Sequence, residues 1–236
     1  MPAPRLWLIV PAAGIGQRMQ AEQPKQYLRI DQRFILDITL SRLMDSAPFS
    51  GCMVPLHPAD HWWPDTEASG DSRIQTCTGG SERAGSVLSA LHAMAEQVKD
   101  DDWVLVHDAA RPCLDTRDLS NLIDRLYSHP VGGLLASPVA DTLKKAGTAE
   151  LPEVIETVDR PGLWRDLTPQ MFRYRVLVDS LEAALARDLP VTDESSAVEF
   201  SGNMPVLVEG QDSGPTTVLP NRLAIGGPHA RLVPGT

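Results

Sequence analysis

No apolar stretch in this 236-residue chain approaches the roughly 18 consecutive residues that a membrane-spanning helix needs, so no membrane partner is expected. Cysteine is scarce as well. Cys52, Cys77 and Cys113 are odd in number, widely spaced and without a C-x-x-C pair, which argues against a disulfide framework or a cysteine-built zinc site. Positive charge is short, with 21 Lys and Arg against 31 Asp and Glu and a net charge of -10. A broad nucleic-acid surface needs the opposite balance, so no nucleic-acid partner is expected, while a small anion gripped by a few converging cations is allowed. Met1-Pro2-Ala3-Pro4-Arg5 leads straight into a strand-like run with no leader pattern, and a cytoplasmic location is expected. The segment HPADH from His57 to His61 lacks the glutamate of H-E-x-x-H and contains Pro58, which argues against a zinc pair. No Ser/His/Asp spacing marks a nucleophilic triad.

Hydrophobic content of 42% and charged content of 22% suit a globular protein. The length suits one α/β domain, taken as residues 1–236 with a modest appendage. Apolar runs alternate with amphipathic stretches, the pattern of βαβ units around a mostly parallel sheet. Strands are expected at Leu6 to Val10, Trp103 to His107, Gly133 to Ala136 and Val206 to Glu209. A helix is expected over Ser86 to Val98 with Leu88, Leu91, Ala95 and Val98 on its buried face, and another around Leu177, Leu181, Ala184 and Leu185. Residues 55–70, rich in Pro, Asp and Trp, read as an irregular loop with Trp62 and Trp63 packed beneath it. Between Ala140 and Arg160 a polar centre separates two β-like runs. This is a hairpin arm, either an ordinary surface feature or one that packs on a second subunit, since an isolated hairpin is marginal in water.

Three loops carry candidate chemistry. In "VPAAGIGQRM" the turn after the first strand bears Gly14 and Gly16, followed by Arg18 and then Lys25. Met19 replaces the last glycine of G-x-G-x-x-G and no Gly-Lys-Ser/Thr follows, so neither the dinucleotide fingerprint nor a Walker motif is present. Two cations beside a backbone cradle suit a triphosphate, and an ordinary βα turn is the alternative. In "GGSERAGSV" Gly79-Gly80 precede a helix beginning near Ser81 or Ser86; the turn offers free backbone donors to a base edge or anion, or else only reverses the chain. In "VLVHDAARP" a buried strand ends in Asp108, with Arg111 just beyond. An acid off a strand's carboxyl end suits Mg²⁺ or its waters, and a helix N-cap is the other reading.

With "PKQY", "DTLK", "TVDRPGLW", "LTPQMF", "TDESSAVE" and "LVEG" in order, residues 6 to 210 resemble the 2-C-methyl-D-erythritol 4-phosphate cytidylyltransferases of the non-mevalonate isoprenoid pathway. The resemblance implies a Rossmann-like sheet with helices on both faces, of the nucleotide-diphospho-sugar transferase type, with a protruding β-arm at about 140–160 that joins a homodimer. It implies the substrates CTP and methylerythritol phosphate, the release of pyrophosphate, and Mg²⁺ held mainly by the CTP phosphates. By the same likeness Arg18 and Lys25 stabilise the transition state, and Arg160 grips the acceptor phosphate. Ala13, Gly14 and Gly16 cradle CTP, Gly80 and Ser86 contact cytidine, and Asp108 lies near Mg²⁺ and the sugar. Arg111 joins the nucleotide site, and Thr142 and Thr192 meet substrate through their hydroxyls. The chain departs from the family pattern where Thr216 stands at a usual lysine position, where Ser81 replaces an acid, and in its Gly/Pro-rich tail. Arg222 is a candidate to supply the missing charge. A cytidylyltransferase for another alditol phosphate such as ribitol phosphate, and a non-catalytic CTP-binding homologue, are the competing readings.

Overall fold

The computed structural model describes residues 3–14, 23–148 and 150–211. The chain begins with β1 (Leu6–Ile9), a small hairpin of β2 (Arg29–Ile30) and β3 (Arg33–Phe34), α1 (Ile35–Ser46), β4 (Phe49–Leu56) and β5 (Ile74–Thr78). It continues through α2 (Arg83–Ala93), β6 (Trp103–Val106), α3 (Thr116–Leu126) and β7 (Gly132–Pro138). A separate antiparallel pair follows, β8 (Leu143–Ala146) and β9 (Val154–Val158), then β10 (Trp164–Arg173), α4 (Tyr174–Ala186), α5 (Glu194–Phe200) and β11 (Val206–Glu209). Seven strands form the central sheet in the order β11-β7-β10-β6-β1-β4-β5. β10 runs antiparallel to both neighbours, and the other described pairings in the sheet are parallel.

Strand alternation decides which side each residue serves. Leu6 and Leu8 of β1 join Trp103, Leu105 and Met171 under α1 and α3, whereas Trp7 and Ile9 join Val104, Val106 and Phe172 under α2, α4 and α5. Both faces are therefore covered, as a buried parallel sheet requires. Each fully buried leucine or isoleucine contributes about 1.5–3 kcal/mol. Gly133 lets the last strand dock, because a Cβ there would lie 2.1 Å from the Val206 carbonyl oxygen.

The expected strands are present, with ends shifted by up to two residues. The helix expected over Ser86 to Val98 is corrected to Arg83–Ala93. Its buried face is Ala84, Val87, Ala90 and Leu91, continued by Met94 and Val98 beyond its end; Leu88 is half-buried and Ala95 exposed. Gly85 in the first turn masks the true start. Residues 57–73 form short turns after β4, and Trp62 and Trp63 pack against the core there, with Trp62 stacked on Tyr27. The arm is β8 and β9, in register from Leu143 opposite Val158. Among the described residues no helix is long and apolar enough to cross a membrane.

A buried carboxylate anchors β1. Asp102, 2% exposed, accepts from the backbone N–H groups of Arg5 (2.9 Å) and Lys99 (3.1 Å), from the Trp7 indole (3.1 Å) and from the Arg5 guanidinium. Burial works against this charge, and the donors outweigh it, holding the pKa below the usual carboxylate range. A depressed folded pKa means the stabilisation is present above the unfolded value near 4 and is lost as pH falls through the folded value. Asp102→Ala is expected to lose about 2–3 kcal/mol at pH 7, with the difference from the parent shrinking below pH 4. Urea melts at pH 7 and pH 3 check this; equal differences at both would contradict it.

Candidate active site

The loops after β1, β5 and β6, the amino-terminal half of β10 and the start of α5 enclose one cleft of about 370 Å³ at the carboxyl ends of the parallel strands. That is where open α/β sheets bind ligands, and the volume lies in the small-molecule range. Ala13, Gly14, Lys25, Gly80, Ser86, Asp108, Arg111 and Thr192 all line it. Gly16 and Arg18, like Thr216 and Arg222, lie outside the described residues. Thr142 and Arg160 sit exposed along the arm and do not line the cleft. Arg160 donates to the Ala140 carbonyl at the arm's base.

Two contacts hold the first loop in place. Gln26, buried beside Lys25, donates from Nε2 to the Ala12 carbonyl (2.7 Å) and the Gly14 carbonyl (3.1 Å), fixing the glycine turn to the short helical turn Lys25–Tyr27. Gly79 then brings the second loop against the first, for a Cβ there would lie 2.5 Å from the Ala13 Cβ. The backbone donors of the glycine pair are not free, which corrects the expectation for this turn. The Gly79 N–H donates to the Leu56 carbonyl (2.7 Å) and the Gly80 N–H to Ser86 Oγ (3.1 Å). Ser86 Oγ in turn donates to the Glu82 carbonyl (2.9 Å). The pair packs loops together, and the helix begins at Arg83.

Asp108 is not an N-cap; that role at α3 falls to Asp115. Asp108 Oδ2 pairs with Arg111 Nε at 2.8 Å and Oδ1 with Arg83 Nη2 at 3.2 Å. Burial opposes the Asp108 charge, but the two guanidinium groups outweigh it and keep the pKa below the ordinary value. Arg83 also reaches Glu194 Oε1 at 2.5 Å, and Glu194 is 1% exposed. Burial disfavours the Arg83 charge, and the Glu194 and Asp108 carboxylates reverse that effect and raise its pKa. For Glu194 burial dominates and raises the carboxyl pKa against the pull of Arg83. One guanidinium thus ties the start of α2 to the end of β6 and the start of α5.

The opposite wall escaped sequence reasoning. Asp166, Thr168 and Asp193 line it beside Thr192. Gln170, fully buried, donates from Nε2 to Asp166 Oδ1 (3.0 Å) and Asp193 Oδ2 (2.8 Å) and accepts the Ser195 N–H at Oε1 (2.8 Å). Asp193 caps α5 through the Ser196 N–H. Desolvation, then the Asp193 charge, push the Asp166 pKa up to about 7. Arg83 and Asp193 lie inside quoted motifs and were discoverable there; Asp166 falls between "TVDRPGLW" and "LTPQMF" and carried no signal.

The family model described as IspD, 2-C-methyl-D-erythritol 4-phosphate cytidylyltransferase, matches residues 6–225. The enzyme of that name from Hahella chejuensis is 47% identical over 206 residues, covering 87% of this chain and 85% of the relative. The one from Pseudomonas fluorescens is 47% identical over 221 residues, 93% of each. The crystal structure of the Francisella tularensis enzyme superposes with a TM-score of 0.78 at 32% identity, covering 91% of this chain and 94% of that one. With the cleft, the strand order and this similarity along nearly the whole length in agreement, the chain belongs to the 2-C-methyl-D-erythritol 4-phosphate cytidylyltransferase family.

Proposed function

We propose that the cleft binds CTP with its phosphates between the loop after β1 and Lys25, and holds methylerythritol phosphate against the wall formed by β10 and α5. Membership of the family makes the chain a nucleotidyltransferase of isoprenoid precursor synthesis, forming 4-diphosphocytidyl-2-C-methyl-D-erythritol. A phosphate oxygen of the acceptor attacks the α-phosphorus of CTP, the bond to the bridging α,β oxygen breaks, and pyrophosphate leaves with the electron pair. The attacking phosphate is largely dianionic at neutral pH, its second pKa lying near 6, so no protein base is required. The chain's task is positioning and charge neutralisation. One observation carries this reading: the glycine turn after β1 and the exposed Lys25 meet in the cleft at the carboxyl ends of the parallel strands, with Arg83 and Arg111, both paired with Asp108, beside them.

The donor set suits Mg²⁺ bound chiefly by the nucleotide. Asp108 lines the cleft with both oxygens already paired to Arg111 and Arg83, so it would supply at most one shared ligand, and no group of three or more His, Cys, Asp or Glu among the described residues forms a protein-built cage. When bound, the ion would lower the negative charge of the triphosphate. Gly14 and Ala13 leave room for the phosphates beside Lys25, and Gly80 and Ser86 form the end of the cleft proposed for cytidine. The proposal extends to a homodimer. Leu151, Val154 and Ile155 on the arm are 81%, 61% and 64% exposed, apolar surface that a second copy would cover, and the arm would deliver Arg160 and Thr142 to its partner's cleft. Three free cysteines support a cytoplasmic setting.

Pyrophosphate release with CTP and Mg²⁺ tests the reading, with methylerythritol phosphate and ribitol phosphate compared as acceptors. Turnover with the first acceptor alone is expected. Preference for ribitol phosphate, or CTP binding without release from either, would overturn it.

A further inference from the structure

The cleft is chemically lopsided. Lys25, Arg83 and Arg111 lie with the loops at the ends of β1, β5 and β6, beside Glu82 and Asp108, whereas the wall from β10 and α5 contributes no lining cation, only the carboxylates of Asp166 and Asp193 and the hydroxyls of Thr168 and Thr192. Two carboxylates are poor neighbours for phosphate and good acceptors for neutral hydroxyl groups. A second, independent feature marks the same wall. Thr168 is 8% exposed, and its Oγ1 has no hydrogen-bond partner among the described residues although it lines the cleft. Buried hydroxyls are nearly always paired, so an orphan here points to a ligand.

Asp166 is built to meet that ligand. It stands at the irregularity where the β10 pairing with β7 shifts between Asp166 and Gln170, which breaks the regular ladder beside the cleft. Gln170 clamps Oδ1 from a fully buried position, so the carboxyl is held in one orientation. Its second oxygen has no hydrogen-bond partner among the described residues, and the side chain is open to the cleft.

We propose that Asp166 determines acceptor specificity by hydrogen-bonding a hydroxyl of the acceptor's polyol chain beside Thr168. This rests on the cytidylyltransferase reading of the cleft. A carboxyl that is partly protonated near neutral pH both accepts from and donates to such a hydroxyl; desolvation first, then the Asp193 and Glu194 charges, favour the proton, and the Gln170 hydrogen bond and Arg111 oppose it. The ribose of CTP offers the same chemistry. The location on β10, across β6 from the glycine loops, favours the acceptor.

The test is steady-state kinetics of the parent, Asp166→Asn and Asp166→Ala with CTP and methylerythritol phosphate, each variant's thermal melt recorded alongside. The asparagine variant keeps an oxygen for Gln170 and changes only the group facing the cleft. Loss of one charge-assisted contact is expected to raise the acceptor KM roughly 10- to 100-fold in the alanine variant, with the CTP KM within about twofold. An unchanged acceptor KM in both variants overturns the proposal, and so does a rise confined to the CTP KM, which would place the carboxyl on the ribose. Calorimetric titration of the acceptor into CTP-bound protein separates the two readings. If the parent binds acceptor and Asp166→Ala loses that binding, the contact stands even where pyrophosphate release fails and the reaction reading falls.

Discussion

Lys25→Ala lowers the rate of pyrophosphate formation on the order of 10²- to 10³-fold, the cost of removing one preorganised charge from a developing oxyanion. The lysine is exposed to the cleft, at the head of the turn Lys25–Tyr27 that follows Pro24. Its backbone is fixed by what surrounds it: Gln26 grips the glycine loop, and Tyr27 donates from its hydroxyl to Asp60 Oδ2 at 2.7 Å. The side chain is exposed among the described residues, so the melting temperature should move little while kcat collapses. Lys25→Arg keeps the charge but shifts its position, and should recover part of the rate. A loss of less than threefold in the alanine variant would show that the phosphates lie elsewhere.

Arg83→Leu has the largest expected effect on stability. The substitution strands Glu194, a fully buried carboxyl whose Oε2 already has no hydrogen-bond partner among the described residues. Breaking one side of such a buried pair costs about 3–5 kcal/mol. The sign with pH distinguishes this cause from lost packing. In the variant burial raises the folded pKa of Glu194 without opposition from Arg83. Its folded state is then favoured below the unfolded glutamate pKa near 4.3, and that advantage is lost as pH rises through the raised folded value. Denaturant melts should therefore show the variant's deficit growing from pH 4 to pH 8. A double variant, Arg83→Leu with Glu194→Leu, should recover much of the stability but not the activity, because Asp108 would still lack one of its two arginine partners.

Periodicity exposed the strands buried on both faces, because β1 and β6 are continuous apolar runs. α1 and α3 obey the same spacing rule as the helices singled out, with Leu36, Leu40 and Leu43 in one and Leu119, Leu122 and Leu126 in the other. β4 is harder to see, since Gly51 and Pro55 interrupt it. β10 is hidden by Pro169, which the fold accommodates where pairing is already irregular. The half of the cleft lined by Gly14, Lys25 and Gly80 was legible because glycine turns and cations follow strands within a few residues. The opposite wall was not. Asp166, Gln170 and Asp193 meet only when β10 is laid beside β6 and α5 is capped, and no local pattern announces a buried amide bridging two acids.

The place of β10 in the sheet also sets a timetable for the growing chain. β1, β4, β5 and β6 have all their mutual partners once the chain has been made as far as Val106. β7 comes next, yet both its neighbours, β10 and β11, are still to be made. Its apolar residues Leu134 and Leu135 have no strand beside them until the arm and β10 have been synthesised. At about 5–20 residues per second that interval lasts a few seconds. A nascent chain halted within the arm would carry four paired strands, one unpaired hydrophobic strand and a buried face still waiting for α4 and α5, and that intermediate is the one most in need of a chaperone.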